Sequence, residues 1–157
     1  MATPGPGGTG TGKRLSAALD TNVLLYAVNP SDPVSETAYE LVERLARGPD
    51  LLFVFWPVIM GFLRLSTNPA LTDEPLSPPE ALAAIGELVE RPHVRNPGEA
   101  SGFLLVYRET ALAGTRGKDV TDAHIAALMR QHGVQTIYTR DRDFRRFDGI
   151  RVEDPFR

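Results

Sequence analysis

The residues of this chain best suited to chemistry fall in three short acidic segments. They are Ala18-Leu19-Asp20-Thr21-Asn22, Asp119-Val120-Thr121-Asp122 and Thr139-Arg140-Asp141-Arg142-Asp143-Phe144. Each lies where an apolar strand should end or a helix should begin. A fold that gathers them at one sheet edge puts several carboxylates into one small space. Carboxylates that close repel, and a divalent cation relieves the repulsion. The candidate ligands are all oxygen, with no cysteine and no histidine pair at zinc-ligand spacing, which favours Mg²⁺ or Mn²⁺ over zinc. Such a centre points to metal-dependent phosphodiester chemistry.

Each acid also has a plainer reading. Asp20 precedes an apolar helical pattern and suits an N-cap, worth roughly 1 kcal/mol. It can cap with one oxygen and bind metal with the other. Asn22 is either a neutral oxygen ligand or a helix-start residue. Asp119 and Asp122 have the spacing of N-cap and N3, so Asp119 reads as a cap and Asp122 as the acid free to enter a cleft. Asp141 and Asp143 suit Asx turns. The joint pattern, more than any one residue, favours a site. His93, His124 and His132 read as ordinary core or surface histidines. No Gly-x-Ser-x-Gly elbow or Walker-type loop is present. The run Gly7 to Lys13 hints at a phosphate loop but has no preceding strand and the wrong glycine spacing.

The elements that must position these residues can be read from pattern. Met1 to about Gly12 lacks apolar periodicity and is expected to be a flexible leader, which leaves residues 13–157 as one domain. Leu15–Leu19 reads as a first strand, and a helix follows Asp20 until Pro30. Ser35–Arg47 is helical, with Gly48-Pro49 as the stop. Leu51–Trp56, nearly all apolar, reads as a strand covered on both faces, with Pro57 in the first turn of the next helix. Further helices are expected at 79–90, with Leu82, Ile85 and Leu88 on its buried face, and at 98–113, with Phe103, Leu104, Tyr107 and Ala111 buried. Asp119–His132 completes the helices. A brief strand at His93–Arg95, a β-rich strand at Val134–Tyr138 and an edge strand at Gly149–Val152 complete the sheet. This order predicts an α/β fold, a three-layer α/β/α sandwich with a mainly parallel central sheet. Ligands of such sheets bind beyond the strands' carboxyl ends, where Asp20 and Asp141 fall.

Composition narrows the class further. Apolar content of 42% and charged content of 24% are those of an ordinary globular domain. The absence of cysteine excludes disulfides and thiolate chemistry and suits a reducing cytoplasm. No apolar run approaches the roughly 20 residues that span a bilayer, and no signal-peptide core is present. The net charge of −3 does not by itself mark a nucleic-acid binder. However, Arg140, Arg142, Arg145, Arg146, Arg151 and Arg157 crowd the C-terminal end beside Asp141 and Asp143. Basic groups beside an acidic pocket suit a phosphate-bearing substrate; a solvated surface of mixed charge is the alternative.

The ordered set of motifs resembles a PIN domain, in particular the VapC toxins of bacterial toxin–antitoxin pairs. The matching segments are Leu19 to Tyr26, Trp56-Pro57 through Phe62-Leu63-Arg64, Thr67-Asn68-Pro69, Val120 to Ala127 and Thr139 to Phe144. The resemblance implies a Mg²⁺- or Mn²⁺-dependent endoribonuclease in which metal activates the water that attacks an RNA phosphodiester. Asp20, Asp122 and Asp141 would be the catalytic and metal-binding acids, with Asp143 as a further metal ligand. Asn22, Arg64, Thr139 and Arg142 would serve the substrate side, Thr139 by hydrogen bonding within the site and the arginines by holding RNA backbone. A VapB-type antitoxin and a second copy of the chain would be partners, the latter through helices near Val58–Leu65 and Ser35–Arg47.

One position departs from the family pattern. A glutamate is usual shortly before Phe-Leu-Arg, and here Gly61 stands there. Fewer acids should weaken metal binding. Two other readings stay open. One is a PIN-like module that binds RNA or protein without cutting. The other is a phosphatase or receiver-type domain, which a single strand-end acid such as Asp20 could serve.

Overall fold

The computed structural model describes residues 15–157. The expected leader and the Gly7–Lys13 run lie outside the described residues. Strand β1 is Ser16–Leu19, and Asp20 then caps helix α1, Thr21–Ala27, in extended conformation (φ −89°, ψ 162°). Helix α2 spans Ser35–Ala46 and buries Ala38, Leu41 and Val42 along one face. It ends at Gly48, whose φ of 76° needs a residue without Cβ.

Strand β2 is Leu51–Phe53, shorter than the expected Leu51–Trp56. Its ladder continues only through the Val54 N–H, which donates to Arg95 O at 2.9 Å. Pro57 cannot donate to a ladder, so helix α3 already begins at Trp56 and runs to Ser66. Trp56 is therefore 47% exposed at a helix start instead of buried in a sheet. Helix α4, Pro78–Val89, is held by a capping box between Ser77 and Glu80 that the pattern reading missed. Its buried stripe is Ala81, Ile85 and Leu88; Leu82, expected inside, is 58% exposed.

Strand β3 is the two-residue Val94–Arg95. The helix expected over 98–113 shrinks to α5, Phe103–Thr110. Gly102 takes the left-handed conformation (φ 80°) that no helix interior accommodates. Gln131 holds the preceding loop by bonds to Ala100 and Ser101. On α5, Leu104 is 69% exposed, contrary to expectation. Helix α6 is Asp119–Gln131 and strand β4 is Thr136–Tyr138. A 3₁₀ turn covers Arg142–Arg146 before strand β5, Arg151–Glu153.

All strand pairs are parallel, in the order β3-β2-β1-β4-β5. The chain steps outward from β1 to β3, then returns to lay β4 on the other flank of β1. The switch point therefore lies between β1 and β4, and Asp20 and Thr139 leave those two strands at their carboxyl ends. The Asp20 N–H donates to Tyr138 O at 3.1 Å, tying the two exits together. Leu19, Phe55, Phe62, Leu128, Ile137 and Phe144 are among the fully buried side chains around the sheet. Among the described residues, no helix is long and apolar enough to cross a membrane.

Candidate active site

The β1 exit supplies Asp20, which is 8% exposed. Its Oδ1 accepts the Thr21 N–H at 2.7 Å, and its Oδ2 accepts the Thr139 hydroxyl at 2.7 Å. Asn22 Nδ2 reaches the same Oδ2 at 3.4 Å and Thr139 Oγ1 at 3.2 Å. So Asp20 does cap its helix, and the second oxygen faces the β4 exit. Burial pushes its carboxyl above the ordinary carboxylate value; the bonds from Thr139 and Thr21 oppose that shift, and Asp141 adds to it.

Thr139 is fully buried and joins both strand exits. While donating to Asp20, its Oγ1 accepts the Asp141 N–H at 2.9 Å. Asp141 Oδ1 in turn accepts the Asp143 N–H at 2.9 Å, the Asx turn that starts the 3₁₀ segment. Asp141 thus combines a turn role with a place beside Asp20. Asp143 stands apart. Its side chain is 62% exposed and faces Arg146 Nη1 at 3.9 Å.

Helix α6 brings in Asp122. Asp119 is not its N-cap. Lys118 is already helical in backbone, and residues 116–121 wind into the helix through consecutive turn bonds, so the expected capping pair does not form. The Asp122 carboxyl is pushed up to about 6, first by burial, then by the charges of Asp20 and Asp141, with Arg146 and Lys118 opposing. The three acids are therefore near enough to repel one another. Among the described residues, however, no three acidic or histidine side chains converge closely enough to hold one ion as they stand. The donor set, carboxylates with a neutral amide and hydroxyl beside them, is what a hard divalent cation takes.

The C-terminal basic run also supplies a residue that sequence reasoning did not single out. Arg146 Nη2 lies 3.5 Å from Asp122 Oδ2 and 3.6 Å from Asp119 Oδ1, and its guanidinium stacks on Phe147 at 4.7 Å. That Nη2 atom is buried and has no hydrogen-bond partner. Arg146 acts as a tethered cation beside the acids, held by charge, by stacking and by its Nη1, which donates to Asp143 O at 3.1 Å. The available signal was its place three residues after Asp143 in the arginine-rich end.

The remaining expected residues are not drawn into this network. Arg64 on α3 and Arg142 on the 3₁₀ turn are exposed and make no ion pair among the described residues. Gly61 borders the site. A Cβ built there would lie 3.0 Å from Thr21 Oγ1, so position 61 faces the residue directly after Asp20. Thr21 takes up the room into which a longer side chain would extend. Of the surfaces expected to pair two copies, α3 has buried Val58, Ile59 and Phe62 in the core and presents Trp56 and Met60 instead.

A parallel five-stranded sheet with carboxylates at its switch point defines a class, and the family comparison agrees. The PIN domain model matches residues 17–150. The chain is 48% identical over 143 residues to Ribonuclease VapC48 of Mycobacterium tuberculosis, covering 90% of this chain and 99% of that one. It belongs to the PIN-domain family of VapC ribonucleases. Solved structures share the fold. The crystal structure of Mycobacterium tuberculosis VapC20, described as a sarcin-ricin loop cleaving toxin, superposes with a TM-score of 0.61 at 22% identity, covering 86% of this chain and 98% of that one. VapBC2 from Rickettsia felis, bound to a DNA fragment from its promoter, gives 0.61 at 16% identity, covering 88% and 98%.

Proposed function

We propose that this chain is an endoribonuclease that depends on Mg²⁺ or Mn²⁺ and serves as the toxin of a VapBC-type pair. The observation that carries the proposal is the Asp20–Thr139–Asp141 network at the switch point, with Asp122 near enough to repel both carboxylates. Asp20, Asp122 and Asp141 would hold the ion, and it would supply the positive charge that activates water and neutralises the phosphate. Thr139 fixes Asp20 by donating to its Oδ2 and aligns Asp141 by accepting its backbone N–H. Asn22 spans Asp20 and Thr139 and fixes the mouth of the site. Arg64 and Arg142 would meet RNA phosphates.

Membership of the VapC family supports an RNA substrate, and the VapBC complex among the structural neighbours supports a VapB-type antitoxin partner. Pairing of two copies is part of the proposal; exposed Trp56 and Met60, one turn apart on α3, offer apolar surface for it. A non-cleaving, RNA-binding PIN domain is the second reading. Gly61 favours it, since the wall of the site beside Thr21 carries no acid.

The test is cleavage of total RNA with Mg²⁺, with Mn²⁺ and with EDTA, alongside Asp20→Asn. The expected outcome is metal-dependent fragments that disappear in EDTA and fall more than about 100-fold in the variant, beyond the range for changes around metal ligands. A folded protein that binds RNA but leaves it intact with either metal would establish the second reading.

A further inference from the structure

Arg140 sits between two residues of the site, Thr139 and Asp141, and is exposed. Its backbone N–H donates to Asn22 Oδ1 at 3.4 Å, which joins it to the amide that reaches Asp20. Its guanidinium carbon lies 5.5 Å from the Tyr26 ring centre and 5.4 Å from that of Phe156. Those rings meet edge to face, with centres 5.3 Å apart and planes at 89°. The guanidinium therefore occupies the corner of an aromatic pair formed by the end of α1 and the C-terminal tail. Both contacts orient a cation without using its N–H donors.

Among the described residues, the ion pairs at this end are made by Arg146 and Arg157. Arg140 makes none, although Glu153 and Asp154 lie close in sequence to Phe156. A planar cation held by stacking, with its donors unspent and its own backbone tied to the metal-ligand network, suits a phosphate. We infer that Arg140 is a substrate-positioning residue that holds a backbone phosphate of single-stranded RNA next to the one that is cut. The inference rests on the ribonuclease reading above.

The test compares Arg140→Gln and Arg140→Lys with the parent, all carrying Asp122→Asn so that the RNA survives. Binding of a labelled single-stranded RNA is followed by fluorescence anisotropy across a range of salt. Arg140→Gln is expected to weaken binding roughly tenfold at low salt and to flatten the plot of log affinity against log salt by about 0.7, one phosphate contact. Arg140→Lys keeps the charge and should keep the slope, with weaker binding because its ammonium lacks the planar fork. If Arg140 only fastens Phe156 to Tyr26, both variants lose thermal stability alike and leave the slope unchanged, which overturns the inference. If the unmodified chain neither cleaves nor binds RNA, the ribonuclease reading fails and this inference with it. Cleavage by the unmodified chain together with an unchanged slope in Arg140→Gln refutes the inference alone.

Discussion

The two flanks of the acid cluster are built differently. Around Asp20, every carboxylate oxygen has a hydrogen-bond donor, from Thr21, Thr139 or Asn22, and the surroundings are buried. Around Asp122 there is charge instead. Its partner Arg146 stands 3.5 Å away with a buried, unbonded Nη2. Hydrogen bonds to a buried carboxylate fix its direction, whereas a loose ion pair fixes little beyond its neighbourhood. The first flank is therefore the rigid datum of the cluster, and the second is the part freer to adjust.

That contrast can be broken most sharply at Thr139. Thr139→Val keeps the shape but removes the donor to Asp20 and the acceptor for Asp141. Cleavage should drop about 10–100-fold, with divalent-ion affinity falling in parallel, as for other groups that orient metal ligands. Unchanged metal affinity in a calorimetric titration would remove Thr139 as the anchor of the rigid flank.

A smaller and opposite effect is expected at Arg146. Arg146→Gln takes away the built-in cation that competes for Asp122, so Mg²⁺ should bind a few-fold tighter while the metal-free protein melts earlier. Melting curves over a Mg²⁺ series would show both. Weaker Mg²⁺ binding in this variant would mean that the arginine supports the ion's site instead of substituting for it.

The pH dependence sharpens the same distinction more gently. Asp122 is raised to about 6, and Asp20 is also raised, so the folded state holds their protons more tightly than the unfolded chain does. Between the ordinary carboxylate value and about 6, the metal-free protein should lose stability as pH rises, the cost being fully present above that window. In EDTA the melting temperature should therefore fall from pH 5 to pH 7, and Asp122→Asn should reduce the fall. An equal fall in Asp122→Asn would mean that burial and repulsion of the Asp122 carboxylate are not the source of the cost.

Much of the rigid flank is legible in sequence because it is local to strand ends. Asp20 follows an apolar strand, Thr139 and Asp141 follow a β-rich one, and parallel-sheet topology does the rest. The adaptable flank is less legible because it depends on angles between elements. Asp119 has the spacing of a cap, yet the turn before it already winds into α6 and frees its side chain for Arg146. Arg146 faces the acids only because Arg142–Arg146 coils as a 3₁₀ turn. Leu82 and Leu104 fit an apolar stripe by spacing, but Ala81 and Gly102 set the true phase of one helix and the true start of the other. Gly61 stands out in the motif, while the fact that a side chain there would face Thr21 emerges only with two helices in place.

The hydrogen bond that fastens Asp20 spans 119 residues, to Thr139 close to the end of the chain. Closing so long a loop is among the last contacts a folding chain can make. Until β4 pairs beside β1, Asp20 has neither the Thr139 hydroxyl nor Asp141 beside it, so the shared network forms only once both halves of the sheet are joined.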